Sequence, residues 1–492
     1  MGDRVEESAL VVGDGHEVRR RLQRSVALLR QMVRDGAFTG HRDTMGMEVE
    51  LDLVDPLGRP RLINDAVLAS LNRPDMKSEL GQFNIEFNLA PRLLAGSVFQ
   101  QNHDTLTAVF DSSGARIAGL GARLISVGML PTASAAHLTA DRLSANPRYA
   151  LMSSRIRADR HRPFRVRIPD GAEPVEFSAD SVAPEACATS LQLHLRVPPE
   201  RFAAYFNAAE TIAAVQIAIA ANSPFLLARQ AWQETRIPLL EQLFDSRRPR
   251  EVRKHRAARV QLGDGWVLDP VDLFDDLVAQ FPPLFPTLEA EDPDAAYRAG
   301  RTPALHELRL HTGTVWRWNR AVYDVQEGRP QLRIENRVLP SGPTVLDMIA
   351  NAAFYYGLVR ALVDSGTAPW TQMSFGVAER DVHRAARDGL GAVLSWRGAD
   401  RPLAPLVCDV LLPLAAAGLD AWGVAATDRD RYLGVIDARV RRGRGGAAWQ
   451  AETVRRLEER GANRVAALHE MTRRYVECAH TDAAVHDWPV HD

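Results

Sequence analysis

Lysine is almost missing from this 492-residue chain, where Lys77 and Lys254 stand alone among many arginines. Mechanisms that need several lysines are therefore excluded, and neither lysine completes a G-x-x-x-x-G-K-[ST] phosphate loop. Cysteine is also scarce: Cys187, Cys408 and Cys478 are far apart, odd in number and form no C-x-x-C pair. That rules out a disulfide framework and a thiolate zinc site. No G-x-G-x-x-G follows a strand and no G-x-S-x-G occurs, which removes the dinucleotide-binding and serine-hydrolase classes. A net charge of −2 and a pI near 6.7 leave no broad electrostatic footprint for nucleic acid. The apolar runs Ala213 to Ala221 and Val407 to Ala417 fall short of a bilayer span, and the acidic N-terminus lacks a signal-peptide core. The expectation is a cytoplasmic enzyme working on small molecules, with neither nucleic acid nor membrane as partner and compatible with a homo-oligomer.

What is present is ordinary for a globular enzyme: 46% hydrophobic and 25% charged residues, enough for a large core. Val18 to Val33 carries apolar positions at helical spacing and predicts an amphipathic helix. Period-two alternation then predicts strands at Met45 to Val54 and at Gln82 to Leu89, the second stopped by Pro91, with a turn at Asp55 to Gly58. Helix over Ser97 to Ala118, buried strand over Ala122 to Val127 and helix over Tyr149 to Ile156 follow. Ser190 to Val197 predicts strand and Glu200 to Ala221 helix; Gly313 to Trp318 and Gln331 to Leu339 predict two more strands. Arg247 to Arg259 and Phe281 to Asp294 are expected as loops, and Val345 to Val363 as helix. Helical segments dominate from Glu379 onward, broken by an Arg- and Gly-rich loop at Arg441 to Gly446. The division expected is a catalytic domain over 1–375 and a helical C-terminal region over 376–492.

Four of these strands share a composition. Alternation puts Glu48 and Glu50 on one face, opposite Met47, Val49 and Leu51. It groups Gln82, Asn84, Glu86 and Asn88; then Ser190, Gln192 and His194; then Arg333, Glu335 and Arg337. A merely solvated face mixes Thr, Lys, Ser and Arg, whereas these faces hold mainly Glu, Gln, Asn and His. Carboxylates gathered on one sheet repel one another, and a hard divalent cation removes that cost. Oxygen donors with one imidazole suit Mg²⁺ or Mn²⁺. Arginines beside Glu335 suit phosphate oxygens. Together they point to metal-assisted phosphoryl transfer.

At these residues the sequence resembles the glutamate–cysteine ligase and bacterial carboxylate–amine ligase family. The resemblance rests on Gly46-Met47-Glu48-Val49-Glu50, on Ser190-Leu191-Gln192-Leu193-His194, and on Thr314-Val315-Trp316 followed by Arg320 and Glu335-Asn336-Arg337. The helix opening near Ala378 adds to it, so the likeness spans Met45 to Leu390. It implies an α+β, glutamine-synthetase-like fold, a curved antiparallel sheet forming a funnel flanked by helices. It implies ATP-dependent activation of the γ-carboxylate of L-glutamate as an acyl phosphate, which the amine of L-cysteine attacks. Carried onto this chain, Glu48, Glu50, Glu86, His194 and Glu335 are metal ligands. Arg337, Glu335 and Arg320 are catalytic candidates, and Arg333, Arg337 and Gln192 are nucleotide contacts. Other acids or amines, a phosphotransferase without an amine acceptor, or an inactive binding relative are the alternatives.

Among other residues, Arg148 and Tyr149 open a helix and are either a carboxylate hold or a surface cap. Cys187 is expected as a buried thiol and Trp316 and Trp318 as core on one strand face. Asp75 and Glu79 are expected as exposed acids with an option on the metal site.

Overall fold

The computed structural model describes residues 15–40, 42–285 and 287–490; the acidic stretch at residues 1–14 lies outside them. The main sheet has seven strands: β1 (Thr44–Val54), β2 (Met76–Ser78), β3 (Asn84–Leu93), β4 (Arg123–Ile125), β5 (Ser190–Arg196), β6 (Asn319–Gln326) and β7 (Arg329–Pro340). Their order is β6-β7-β5-β1-β3-β2, with β4 on β1, and every pairing is antiparallel. The sheet curls into a half-barrel and helices surround it, an α+β architecture as expected.

Register sets which side chains meet. Glu50 pairs with Glu86 across β1 and β3, and Glu48 pairs with Gln192 across β1 and β5. His194 pairs with Glu335 across β5 and β7. Two register shifts shape the sheet. One lies opposite Gly46, where β3 carries an extra residue, so Pro91 sits in the irregularity and the strand runs on to Leu93 instead of ending at the proline. The other lies between Asn336 and Leu339, where Arg337 and Val338 together face the stretch of β5 around Gln192.

After the helices α1 (Gly15–Arg34), α2 (Val98–Ile117) and α3 (Pro147–Arg160), one sheet face is covered by α4 (Pro199–Ala220) and α5 (Val345–Asp364), both apolar nearly all round and hence buried. Pro199 at the first turn suits the start of α4, and Thr344 caps α5 by accepting from Asp347 N. The Tyr356 hydroxyl of α5 donates to His194 O at 2.9 Å, tying helix to sheet. These helices extend well beyond the short apolar runs of the sequence. With Leu403–Ala421 they are long and apolar enough to cross a membrane by length and composition, yet α4 and α5 bury 89% and 83% of those windows inside the protein.

The helices α6 (Phe375–Asp388), α7 (Leu412–Ala421), α8 (Ala426–Arg441), α9 (Gly446–Glu459) and α10 (Arg464–Ala479) complete the shell. One apolar cluster runs from Val18 to Trp488. The buried pair Arg439–Asp347, 2.8 Å apart, joins α8 to α5.

Three local expectations fail. Gly313 to Trp318 is a turn and an irregular segment, and the strand begins at Asn319. Arg247 to Arg259 contains a short helix, Pro249–Arg253, and Arg259 is buried with its guanidinium over the Phe281 ring. The hairpins Phe164–Ile168 with Val175–Ala179 and Val393–Trp396 with Ala399–Pro402 lie where no strand is predicted.

Candidate active site

The polar face of the sheet gathers two groups of side chains. In the first, carboxylate oxygens of Glu50, Glu79 and Glu86 lie within 4.8 Å of one another, and all three residues are buried. Glu50 and Glu86 are cross-strand partners, while Glu79 arrives from the loop between β2 and β3. That loop is held tightly. Ser144 N donates to Leu80 O at 2.8 Å, and Gly81 N donates to the Asn84 side chain at 2.9 Å. A Cβ on Gly81 would meet Ala186 Cβ at 2.7 Å, so glycine is required there. Burial, then the neighbouring Glu86, push the Glu50 carboxyl above its ordinary range. Burial likewise raises Glu79 well above it, with Glu86 and Glu50 adding to the effect. Such a cluster is stable only with protons or a cation between its oxygens.

The second group is Glu48, His194 and Glu335. His194 Nε2 lies 3.1 Å from Glu48 Oε1, so the ring faces a carboxylate of its own cluster. The other ring nitrogen, Nδ1, accepts from Arg333 Nε at 3.2 Å. Glu335 accepts from Arg320 Nη2 at 2.8 Å and from Arg337 Nη1 at 2.6 Å. Burial alone would raise the Glu335 carboxyl; the two guanidiniums outweigh it and hold it well below the usual carboxylate range. Burial also opposes ionisation of Glu48, but nearby His194 reverses the balance and lowers it.

Gln192 joins the two groups. Its amide donates to Glu50 Oε1 at 2.9 Å and accepts from Arg337 Nη1 at 2.6 Å. Glu50 also accepts from Ser190 N at 2.6 Å. Arg337 therefore sits between the clusters, placed there by the irregularity in β7. Arg333 pairs with Asp324 at 2.8 Å as well as with His194. All the sequence-derived candidates, Glu48, Glu50, Glu86, Gln192, His194, Arg320, Arg333, Glu335 and Arg337, thus lie on one continuous face.

The residues fit divalent cations. Glu50, Glu79 and Glu86 form one oxygen-only set, and Glu48, His194 and Glu335 a second with one imidazole. The test is internal: carboxyls crowded within 4.8 Å of one another in the first set, and in the second a ring nitrogen, His194 Nε2, held 3.1 Å from the Glu48 carboxylate.

Sequence reasoning missed several neighbours. Glu79, expected as an exposed acid, is 5% exposed and completes the first cluster. Asp75 instead pairs with Arg73 at 2.7 Å. A small cavity of ≈ 30 Å³ beside Glu50 and Arg337 is walled by Phe244, Trp316 and Trp318, with Arg236 and Glu185 on its rim. Trp316 and Trp318 are therefore cavity walls on an irregular segment as well as core. Burial and nearby Glu50 push Glu185 up to about 8. Arg148 is buried against the Phe285 ring, and the Tyr149 hydroxyl donates to Ser78 O, so neither is a surface cap. Cys187 is the buried thiol expected.

Residues 44–470 match the sequence profile of glutamate–cysteine ligase family 2. Among solved structures, a glutamate–cysteine ligase from Francisella tularensis in complex with AMP superposes with a TM-score of 0.53 at 12% identity, covering 90% of each chain. A bifunctional glutathione synthetase from Pasteurella multocida gives 0.47 at 11% identity, covering 92% of this chain and 54% of that one. No curated protein sequence matches significantly.

Proposed function

The chain belongs to glutamate–cysteine ligase family 2, and from that premise we propose that it is an ATP-dependent ligase joining the γ-carboxylate of L-glutamate to the amine of L-cysteine. Membership makes it a carboxylate–amine ligase; the substrates, the nucleotide and the metal are our reading. The observation that carries it is the pair of buried acid clusters with Arg337 between them.

In this reading Glu50, Glu79 and Glu86 hold one Mg²⁺ or Mn²⁺, and Glu48, His194 and Glu335 hold another. Bound there, the ions would neutralise polyphosphate charge and offset the charge that develops during transfer. The chain's own residues do the positioning. Arg320 and Arg337 fix the Glu335 carboxylate, and Arg337 has a second hold through Gln192. Arg333 now donates to His194 Nδ1. With Nε2 given to an ion, the ring proton would sit on Nδ1, and Arg333, still paired with Asp324, would be released from the ring toward phosphate. A glutamate carboxylate oxygen attacks the γ-phosphorus, ADP leaves, and an acyl phosphate results. The cysteine amine then attacks the acyl carbon, phosphate departs and a proton is lost. Near-contact positioning and fixed charges supply most of the acceleration. The three cysteines, free in the fold, suit a cytoplasmic setting.

The experiment is ADP release with Mg²⁺–ATP and L-glutamate, with and without L-cysteine and a panel of other amines, and mass spectrometry of products. Cysteine-dependent γ-glutamylcysteine formation, lost in Glu335→Gln, is expected. Turnover with another amine alone would replace the substrate assignment. No turnover with any pair and no ATP binding would overturn the reading.

A further inference from the structure

The acid face continues past the second cluster, toward the end of β5 and the start of β7. Alternation puts Arg196 on the same side as His194, and Arg329 and Arg333 on the same side as Glu335. Leu195, Leu332 and Ile334 are buried on the helix side. The register makes Arg196 the partner of Arg333, just as His194 is the partner of Glu335. Two guanidinium side chains therefore stand opposite each other on neighbouring strands, next along from the His194 ring. Partners so placed hold their Cβ atoms about 4.5–5.5 Å apart, and like charges there are destabilising.

The two arginines are not equally provided for. Arg333 is paired with Asp324 at 2.8 Å, and Asp324 is shared with Arg309 at 3.0 Å. Arg196 has neither a side-chain hydrogen bond nor an ion pair among the described residues. Burial, then the nearby Arg329, push its guanidinium below the usual arginine range, against a smaller pull from Asp43. Arg329 itself lies along the glycine bend ahead of β1, where a Cβ on Gly40 would meet its Nη1 at 2.6 Å. The face is thus graded along its strands, with acids toward Ser190 and arginines toward Arg196.

An anion between facing guanidiniums removes their repulsion. A chain of phosphates suits two such donors on adjacent strands, since it carries charge and acceptor oxygens along its length. We propose, resting on the ligase reading above, that Arg196 is a nucleotide-binding residue and that with Arg333 it cradles the polyphosphate of ATP beyond the His194 cluster. The phosphate chain then runs along β5 and β7 with its γ end toward Arg337. The Glu50 side of the face is left to the carboxylate that attacks it.

Isothermal titration calorimetry of the full chain with Mg²⁺ and the non-hydrolysable analogue AMPPNP tests this. Arg196→Gln should weaken binding at least about tenfold, and Arg196→Lys by less, because it keeps the charge and loses only the fork. The KM for L-glutamate should be unchanged in both. Without nucleotide, Arg196→Gln should melt no lower than wild type, since it removes one of two facing like charges; an arginine that merely supports the fold would lower the midpoint. Equal AMPPNP affinity in wild type and Arg196→Gln, or a lost affinity that comes with a lowered midpoint, would overturn the proposal. A raised KM for L-glutamate with AMPPNP binding intact would assign the pair to a substrate carboxylate and overturn it as well. Should wild type bind no nucleotide, the ligase reading itself fails and takes this inference with it. Wild type and Arg196→Gln binding alike would remove this inference alone.

Discussion

On β1, Met47, Val49, Leu51 and Leu53 are at most 1% exposed and packed under helices, while Glu48 and Glu50 project from the other face toward Glu86, His194 and Glu335. On β5, Leu191, Leu193 and Leu195 are fully buried on the helix side, and Gln192 and His194 occupy the acid side. The same strands thus carry two different kinds of buried surface. The apolar face is satisfied by contact alone. The acid face carries crowded carboxyls, raised at Glu50 and Glu79, beside a His194 ring set against Glu48. Like charges crowded at one spot in a well-packed fold mark where a cation completes the structure.

Breaking each face should give opposite signatures. Glu335→Gln removes a carboxylate from the acid face and should lower kcat by about 10²–10³-fold, the scale of one preorganised electrostatic contact. Its thermal midpoint should hold, as read in ADP-release assays and melts. Leu193→Ala opens a hole on the apolar face and should cost about 3 kcal/mol in urea unfolding, within the usual range for buried leucine truncation. Its turnover per folded molecule should be nearly normal. If Leu193→Ala cut kcat as deeply as Glu335→Gln, the faces would not be independent.

Glu210 sharpens the comparison from the other side, because it is a carboxyl buried in α4 beside Asn319 and Arg317. Burial raises it well above the ordinary range, against smaller opposing effects of Asn319 and Arg317. A raised carboxyl binds its proton more tightly folded than unfolded, so the wild type loses stability as pH climbs above the unfolded value of about 4.3. Glu210→Gln should therefore raise the melting temperature, more near about pH 8 than near about pH 4.5. An equal gain at both values would mean that Glu210 is ionised and paired in the fold.

Much of the acid face was legible because period-two alternation maps directly onto a sheet face. Glu48, Glu50, Gln192, His194, Glu335 and Arg337 fall where that rule puts them. Glu79 did not, since it acts from a loop and no periodicity governs loop direction; the nearest cue was an acid ahead of Gly81. Arg320 was found by its place after Trp316, but its strand was misplaced, because alternating tryptophans at 316 and 318 mimic a strand in a segment that the structure leaves irregular. The irregularity that aims Arg337, and the one at Pro91, depend on register between strands far apart in sequence. The hairpins at Phe164–Ile168 and Val393–Trp396 are short: the first alternates fully over its five residues, a run too brief to set it apart from a loop, and the second has only four residues.

The most direct test of the central claim, that the acid face is built to hold divalent cations, is a Mn²⁺ titration of the wild-type chain followed by electron paramagnetic resonance. Wild type should bind two ions, one per acid cluster, and Glu79→Gln and Glu335→Gln should each lose a different one. Absence of saturable Mn²⁺ binding, or identical titrations for wild type and both variants, would contradict it.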